Sequence, residues 1–123
     1  MPEDRQILED GLHTEEALSI LSKEIKTPEA LLAIKDRAGK ILEYAVDPVA
    51  GPADPSYGLL YGLIQSGKTS VITVTAAMAA DNGFKCIIIL TSDINPLYNQ
   101  TLQRIKSQLT GLPVLGKADW HDL

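Results

Sequence analysis

The sequence predicts an α/β fold in which an N-terminal helical hairpin precedes a partial parallel sheet with flanking helices. Helical periodicity dominates residues 14–45, whereas short apolar runs at 59–62 and 85–90 alternate with helical patterns. Strands that alternate with helices are typical of a parallel sheet with right-handed crossovers. The expected segments are a helical segment at 1–46, a linker at 47–58 and a sheet domain at 59–123.

Two helices are predicted in the first segment. The first should run from residue 14 or 15 to residue 25, with Thr14 as its cap. The second begins at the sequence TPEA, where Thr27 is the cap and Pro28 lies in the first turn, and it extends to about Tyr44. Apolar side chains recur at helical spacing in both helices, which favours packing as a hairpin.

The segments that flank these helices have no such periodicity. Residues 1–11 are expected to be loose. Residues 47–58, DPVAGPADPSYG, contain three of the seven prolines and two glycines. This composition favours an extended linker.

The second half contains the predicted strands. LLYG at 59–62 is suited to a buried strand, and KCIIIL at 85–90 is suited to a parallel strand covered on both faces. Cys86 within the second run is therefore expected to be a buried, small apolar residue. A helix at about 95–109 and a third short strand, LPVLG at 112–116, complete the pattern.

A phosphate-binding motif follows the first predicted strand. GLIQSGKT, residues 62–69, matches G-x-x-x-x-G-K-[ST], and about 0.005 accidental matches are expected in a chain of this composition. Glycine lets the backbone approach a phosphate, and successive N–H groups with the positive end of a following helix bind the anion. Lys68 should reach the β- and γ-phosphates, and the Thr69 hydroxyl should bind Mg²⁺. The predicted site for ATP and Mg²⁺ comprises Gly62, Gln65, Ser66, Gly67, Lys68, Thr69 and Ser70.

The segment after the motif, SVITVT at 70–75, is rich in β-branched residues, although a phosphate loop requires a helix there. Each such residue costs about a few tenths of a kcal/mol in a helix, which tertiary packing can override. A helix from about residue 67 to residue 81, ended by Asn82 and Gly83, would be small or apolar nearly all round. It should therefore be buried against the sheet and under another layer. The alternative is a glycine-rich turn with an ordinary surface lysine.

The motif and the sequence AADNGFKCIIILTSDINPLYNQTLQRI together resemble the endonuclease Z-one domain family. The resemblance covers about residues 58–112 and rests on QSGKT, on A-D-x-G-[YF]-[KR], on an aliphatic run and on L-x-x-Q-T-x-x-R. Members of that family are large bacterial ATPases related to superfamily 2 helicases and often linked to restriction or phage defence. The resemblance implies a RecA-like P-loop domain, binding of ATP and Mg²⁺, and DNA as a partner of the full-length protein.

The loop TSDINPLYNQT, residues 91–101, falls where such motors contact the nucleic-acid backbone. Hydroxyl and amide groups bind phosphates, so the resemblance implies backbone contacts in this loop. The candidate residues are Thr91, Ser92, Asn95 and Gln100. The alternative, which the residues themselves favour, is that Asn95 caps a helix beginning at Pro96 and the other three are solvated.

The acidic residues of a helicase-like ATPase are missing. Superfamily 2 motors use an Asp-Glu pair after a strand to position Mg²⁺ and the attacking water, but the adjacent acids of this chain all lie within its first 16 residues. We therefore expect no catalytic residue here. The expected molecule is an N-terminal part of a larger ATPase, truncated before the acidic Walker B strand, with little or no turnover.

Two other functions remain open. A kinase-type P-loop phosphotransferase acting on a small molecule would use Asp93 to position Mg²⁺ or as a base. A non-enzymatic interaction fragment would instead self-associate or bind a partner, through the helical hairpin or through open sheet edges.

Charge and composition limit the partners and the cellular location that are expected for this protein. The net charge is −5, divided into −6 for residues 1–60 and +1 for residues 61–123, and no basic patch indicates nucleic-acid binding. The single cysteine cannot form an internal disulfide. No apolar run reaches roughly 18 residues, and the acidic N-terminus is unlike a secretory signal. A cytoplasmic protein without a membrane partner is expected.

Overall fold

The described part of the chain consists of four α-helices together with irregular segments at their ends. The computed structural model describes residues 6–45, 68–90, 94–116 and Asp119, and for residues 68 and 69 it describes the backbone alone. The helices are α1 (Leu12–Leu21), α2 (Pro28–Tyr44), α3 (Lys68–Asp81) and α4 (Asn95–Gln108). α1, α2 and α4 each pack on α3, which is therefore the central helix.

Two clusters of buried side chains join the helices, and α3 contributes to both. The first core cluster lies between α1, α2 and α3 and consists of Leu21, Ile34, Ala38, Leu42, Val71, Val74, Met78 and Ala79. The second core cluster lies between α1, α3 and α4 and consists of Ala17, Ala76, Ala77, Ile105 and Leu109. At 3.6 residues per turn, the α3 members of the two clusters lie on opposite sides of the helix.

Burial explains why the β-branched half of α3 is helical. Val71 is 2% exposed, and Thr73 and Val74 are fully buried. Burying one such side chain contributes about 1.5–3 kcal/mol, which exceeds its helix-propensity cost of a few tenths. The hydroxyl of Thr75 donates a 2.6 Å hydrogen bond to the carbonyl of Val71, so it is satisfied within the helix. The prediction of a buried helix is confirmed, but α3 is buried among α1, α2 and α4 and not against a sheet.

α3 ends at the predicted Asn82-Gly83 sequence. Gly83 has a φ of 100°, which is the left-handed conformation that glycine adopts without a Cβ clash. The N–H of Phe84 donates to the carbonyl of Ala79 at 3.0 Å, and the N–H of Gly83 donates to that of Ala80 at 3.3 Å. These two bonds form a Schellman motif, which satisfies the last carbonyls of the helix.

The other helices agree with the sequence in position but not always in length or packing. α2 begins after Thr27 at its N-cap, has Pro28 in its first turn and ends at Tyr44, as expected. α1 is shorter than predicted, because it ends at Leu21 rather than at residue 25. The hairpin prediction is wrong, since α1 and α2 each pack mainly on α3 rather than on each other.

The predicted α/β sheet is also wrong for the part of the chain that the structure describes. Residues 84–90 and 112–116 are irregular rather than strands, and the predicted strand at 59–62 lies outside the described residues. A strand requires a hydrogen-bonded neighbour. The backbone of residues 85–90 has none among the described residues, and the segment lies at the surface rather than within a sheet. Cys86 is accordingly exposed, not buried as predicted.

Residues 6–11, which the sequence predicted to be loose, form an N-terminal arm fastened to α2 and α3. The side-chain amide of Asn82 accepts a hydrogen bond from the N–H of Leu8 and donates one to its carbonyl, both at 2.8 Å. Ile7 packs against the first core cluster. Asp10 forms an ion pair with Lys35 of α2. The arm is therefore fixed by contacts far away in sequence.

The ion pair between the arm and α2 gives a prediction about pH. The hydrogen bond and the positive charge of Lys35 lower the pKa of Asp10 below its ordinary value of 3.8. The pair therefore stabilises the fold above the unfolded pKa of Asp10, and this contribution is lost as pH falls through the lower, folded pKa. Replacing Lys35 by methionine is expected to return the pKa of the Asp10 carboxyl towards 3.8, which an NMR titration would measure.

Lys40 provides the matched control for that titration. It pairs with Asp36 on the exposed side of α2 and not with the arm. Lys40→Met should leave the pKa of Asp10 unchanged. An unchanged pKa of Asp10 in Lys35→Met would show that the pair does not form in solution.

Candidate functional site

The candidate nucleotide site lies at the start of the central helix. α3 is described from Lys68, the residue that follows Gly67 of the predicted phosphate loop in the sequence. Gly62, Gln65, Ser66 and Gly67 lie outside the described residues, as do the side chains of Lys68 and Thr69. Ser70 is described and is buried in the first turn of α3. The part of the motif that requires a helix therefore has one.

The electrostatics of this helix end suit an anion. The first four N–H groups of an α-helix have no partner within the helix, and its N-terminus carries roughly half a positive charge. An acidic side chain in the first turn would normally neutralise that end, but α3 has none. Its only acid is Asp81 at the opposite end, about 20 Å away at 1.5 Å per residue.

The start of α3 is also held firmly by the protein core. Val71 and Val74, within the first two turns, belong to the first core cluster with Leu42 of α2. An anion site built on backbone N–H groups depends on their fixed direction. The packing of α3 supplies that rigidity.

The predicted nucleic-acid contacts are not brought together on one helix face. Thr91 and Ser92 lie outside the described residues. Asn95 and Gln100 are exposed on α4, but five helical residues rotate the direction of a side chain by about 140°. These two side chains therefore point to different sides of the helix.

The alternative prediction that Asn95 caps α4 is wrong, because the N-cap lies one residue earlier. Ile94 occupies the N-cap of α4, and Asn95 is the first helical residue.

The described α4 contains no acidic residue and exposes Arg104 and Lys106 in its second half. Asp93, on which the phosphotransferase alternative depends, lies outside the described residues, so that alternative stays a prediction.

A residue that sequence reasoning missed is Asp81, which caps α1 from the end of α3. Its carboxylate accepts hydrogen bonds from the N–H of His13 at 3.1 Å and from the N–H of Thr14 at 2.9 Å. It also accepts a 2.8 Å bond from the Thr14 hydroxyl. An N-cap side chain normally bonds the second and third N–H groups of its own helix. Asp81 does this for α1 from 67 positions along the chain.

The N-cap residue of α1 makes this arrangement feasible. That residue is Gly11, not Thr14 as predicted, and it has no side chain to form a cap. A Cβ at Gly11 would lie 2.3 Å from Cγ of Asp81, so only glycine leaves room for the carboxylate. Two sequence features hint at this cap, namely a glycine at a helix start and an acid at the negative end of a helix. Neither indicates which two helices are joined.

No protein-family model, curated protein or solved structure matches this chain. The described residues contain no group of three or more His, Cys, Asp or Glu side chains that could bind a metal ion. None of the four described helices is both long enough and apolar enough to cross a membrane.

Proposed function

We propose that the chain binds a nucleoside triphosphate, ATP together with Mg²⁺, through residues 62–69 and the first turn of α3. The observation that carries the proposal is that Lys68 and Thr69, the last two residues of the motif, belong to α3 and are therefore helical. The spacing of the motif alone could arise in a turn. Its continuation into a buried helix without an acid in its first turn supports a phosphate site instead.

Each residue of the motif has a separate role in this proposal. The N–H groups around Gly67 and Ser70 bind the phosphate oxygens, and Lys68 neutralises the β- and γ-phosphates. The hydroxyl of Thr69 binds Mg²⁺, and Gly62, Gln65 and Ser66 shape the loop.

We propose further that this chain binds ATP with little or no hydrolysis. Hydrolysis requires an acid near the metal and the attacking water. Asp81 is engaged by the N–H groups of α1 at the far end of α3, so it cannot serve there. In line with the family resemblance, we place this binding activity within a nucleic-acid-directed ATPase whose acidic residues lie outside these 123 residues.

Replacing Lys68 by alanine tests the site. We expect the affinity for Mg²⁺-ATP, measured by isothermal titration calorimetry, to fall by at least about tenfold, because the lysine forms charge-assisted bonds to phosphate. Lys85→Ala is the matched control, since Lys85 is an exposed lysine beyond the other end of α3. It should bind as the unchanged protein does.

The outcomes separate binding from catalysis. Equal affinities of the unchanged protein and Lys68→Ala would contradict the nucleotide site. Release of phosphate by the unchanged protein at an enzymatic rate would leave the site intact and contradict the absence of hydrolysis. Omission of Mg²⁺ should weaken binding in the unchanged protein more than in Thr69→Ala.

A further inference from the structure

A small cleft lies between the beginning of α1 and the chain that leaves α4. His13 and Glu16 line it from α1, and residues 108–112 line it from the end of α4. The volume of this cleft is about 140 Å³. Sites for drug-sized organic ligands have volumes of about 300–1,000 Å³, so the cleft suits an ion better than such a molecule.

Gln108 contributes a buried acceptor to this cleft that the protein does not satisfy. The residue is 3% exposed. Its Oε1 is the only buried side-chain nitrogen or oxygen of the described residues that has no hydrogen-bond partner. Native proteins satisfy nearly all such atoms, because burying one without a partner costs free energy. A ligand that carries positive charge would satisfy this oxygen.

His13 and Glu16 offer two further acceptors from one face of α1, since residues three apart in a helix lie on the same face. Both side chains reach the backbone of Gly111. A Cβ at Gly111 would lie 2.9 Å from Oε2 of Glu16 and 3.4 Å from Nδ1 of His13, so these two atoms approach one point. The hydroxyl of Thr110 donates a 2.7 Å hydrogen bond to Oε1 of Glu16, which orients the carboxylate.

We propose that His13, Glu16 and Gln108 bind one zinc ion in this cleft. Imidazole nitrogen and carboxylate oxygen are common zinc ligands, and three protein ligands leave a fourth position for water. The nitrogen ligand should favour Zn²⁺ over Mg²⁺ and Ca²⁺, which prefer sites built from oxygen alone. Because the third ligand is an amide, the site agrees with the absence of a group of three His, Cys, Asp or Glu side chains from the described residues. This inference is independent of nucleotide binding.

The charges around the cleft favour a cation. The cleft lies at the C-terminal end of α4, which carries roughly half a negative charge, and Glu16 adds a full one. The positive end of α1 is nearby, but the carboxylate of Asp81 is bound to its N–H groups. Lys106 in the last turn of α4 is exposed, so solvent screens its charge. An anion would be repelled by the carboxylate of Glu16.

Replacing Glu16 by glutamine tests the site. Isothermal titration calorimetry of zinc chloride into the untagged, metal-free protein should show one site per chain. Glu16→Gln should weaken the affinity at least about tenfold, because the only charged ligand is lost. Glutamine can still accept the hydrogen bond from Thr110. Glu15→Gln is the matched control, since the Glu15 carboxylate lies 3.8 Å from Lys35 of α2, and it should bind zinc as the unchanged protein does.

Replacing Gln108 by methionine separates zinc binding from a purely structural role. Methionine has a similar length but offers no oxygen, and removing an unsatisfied buried acceptor should not destabilise the fold. In the presence of EDTA, the urea midpoint of Gln108→Met should therefore be no lower than that of the unchanged protein. Its affinity for zinc should fall at least about threefold. Zinc should raise the midpoint of the unchanged protein and leave that of Glu16→Gln nearly unchanged.

An NMR titration assigns the binding to this cleft. One equivalent of zinc should shift the imidazole resonances of His13, whereas one equivalent of Mg²⁺ should not. Three results would overturn the proposal. They are the absence of zinc binding by the unchanged protein, equal zinc affinities of the unchanged protein and Glu16→Gln, and a zinc titration that leaves the resonances of His13 in place.

Discussion

Replacing Asp81 by alanine is expected to lower the free energy of unfolding by about 2–4 kcal/mol. The substitution removes the acceptor for two N–H groups of α1 and leaves the buried Thr14 hydroxyl without its partner. Removing an acid from the negative end of α3 would return only about 0.3–1 kcal/mol. The loss therefore dominates, and urea unfolding followed by circular dichroism would measure it.

Asp36→Ala is the matched control for this loss. Asp36 is an exposed aspartate of α2 whose ion pair with Lys40 spans one helical turn at 3.3 Å. Such pairs contribute about 0.3–0.5 kcal/mol, so the control should change stability little. A comparable effect of both substitutions would contradict the capping role of Asp81.

Gly11→Ala provides a second test of the same contact. The new Cβ would collide with the Asp81 carboxylate, so the carboxylate must move away from the N–H groups of α1. Once the carboxylate is displaced, removing it costs less. The effects of Gly11→Ala and Asp81→Ala should therefore be clearly less than additive in the double variant.

Replacing Met78 by alanine is expected to destabilise the protein by about 2–5 kcal/mol. Met78 is fully buried in the first core cluster. The residues one helical turn before it on the same face are Val74 and Thr75, whose short side chains cannot extend into the space. A large part of the total stability, about 5–15 kcal/mol for a domain, would be lost.

Two further variants keep this prediction testable if Met78→Ala does not fold. Met78→Leu conserves volume and should cost less than about 1.5 kcal/mol. Leu32→Ala removes an apolar side chain that is 63% exposed and should cost much less than a buried one. A folded Met78→Ala that loses no more stability than Leu32→Ala would contradict the burial of Met78.

The helices of this protein could be predicted where local signals agree. α2 has a threonine N-cap position, a proline in its first turn and an apolar stripe, and its predicted limits are correct. In α3 the local signals disagree, because its first half is rich in β-branched residues, which disfavour a helix. The prediction of a helix in this segment is confirmed, whereas the phosphate loop that suggested it stays a prediction.

The sheet could not be excluded from the sequence. A short apolar run such as residues 85–90 has no period that separates a buried strand from a surface segment. Whether it becomes a strand depends on a hydrogen-bonded neighbour, which is a long-range property. The same reason explains the wrong expectation for Cys86.

The residues of the candidate sites also differ in how far the sequence alone identifies them. Residues 62–69 match a motif of set residue types at fixed local spacing, so the sequence alone predicts a phosphate site there, and that site stays a prediction. Asn95 and Gln100 both lie within α4, and the helical rotation between them turns their side chains to different sides. Asn95 belongs to the helix because the N-cap is Ile94, which is one residue earlier than the sequence predicts.

The sequence by itself determined the positions of α2, α3 and α4, because caps, helix stops and helical spacing are encoded within a few neighbouring residues. The tertiary structure alone decided that α3 is the shared centre of two core clusters and that Asp81 caps α1. Those contacts join residues about as far apart as half the chain. Their formation depends on which helices pack together, and no local pattern contains that information.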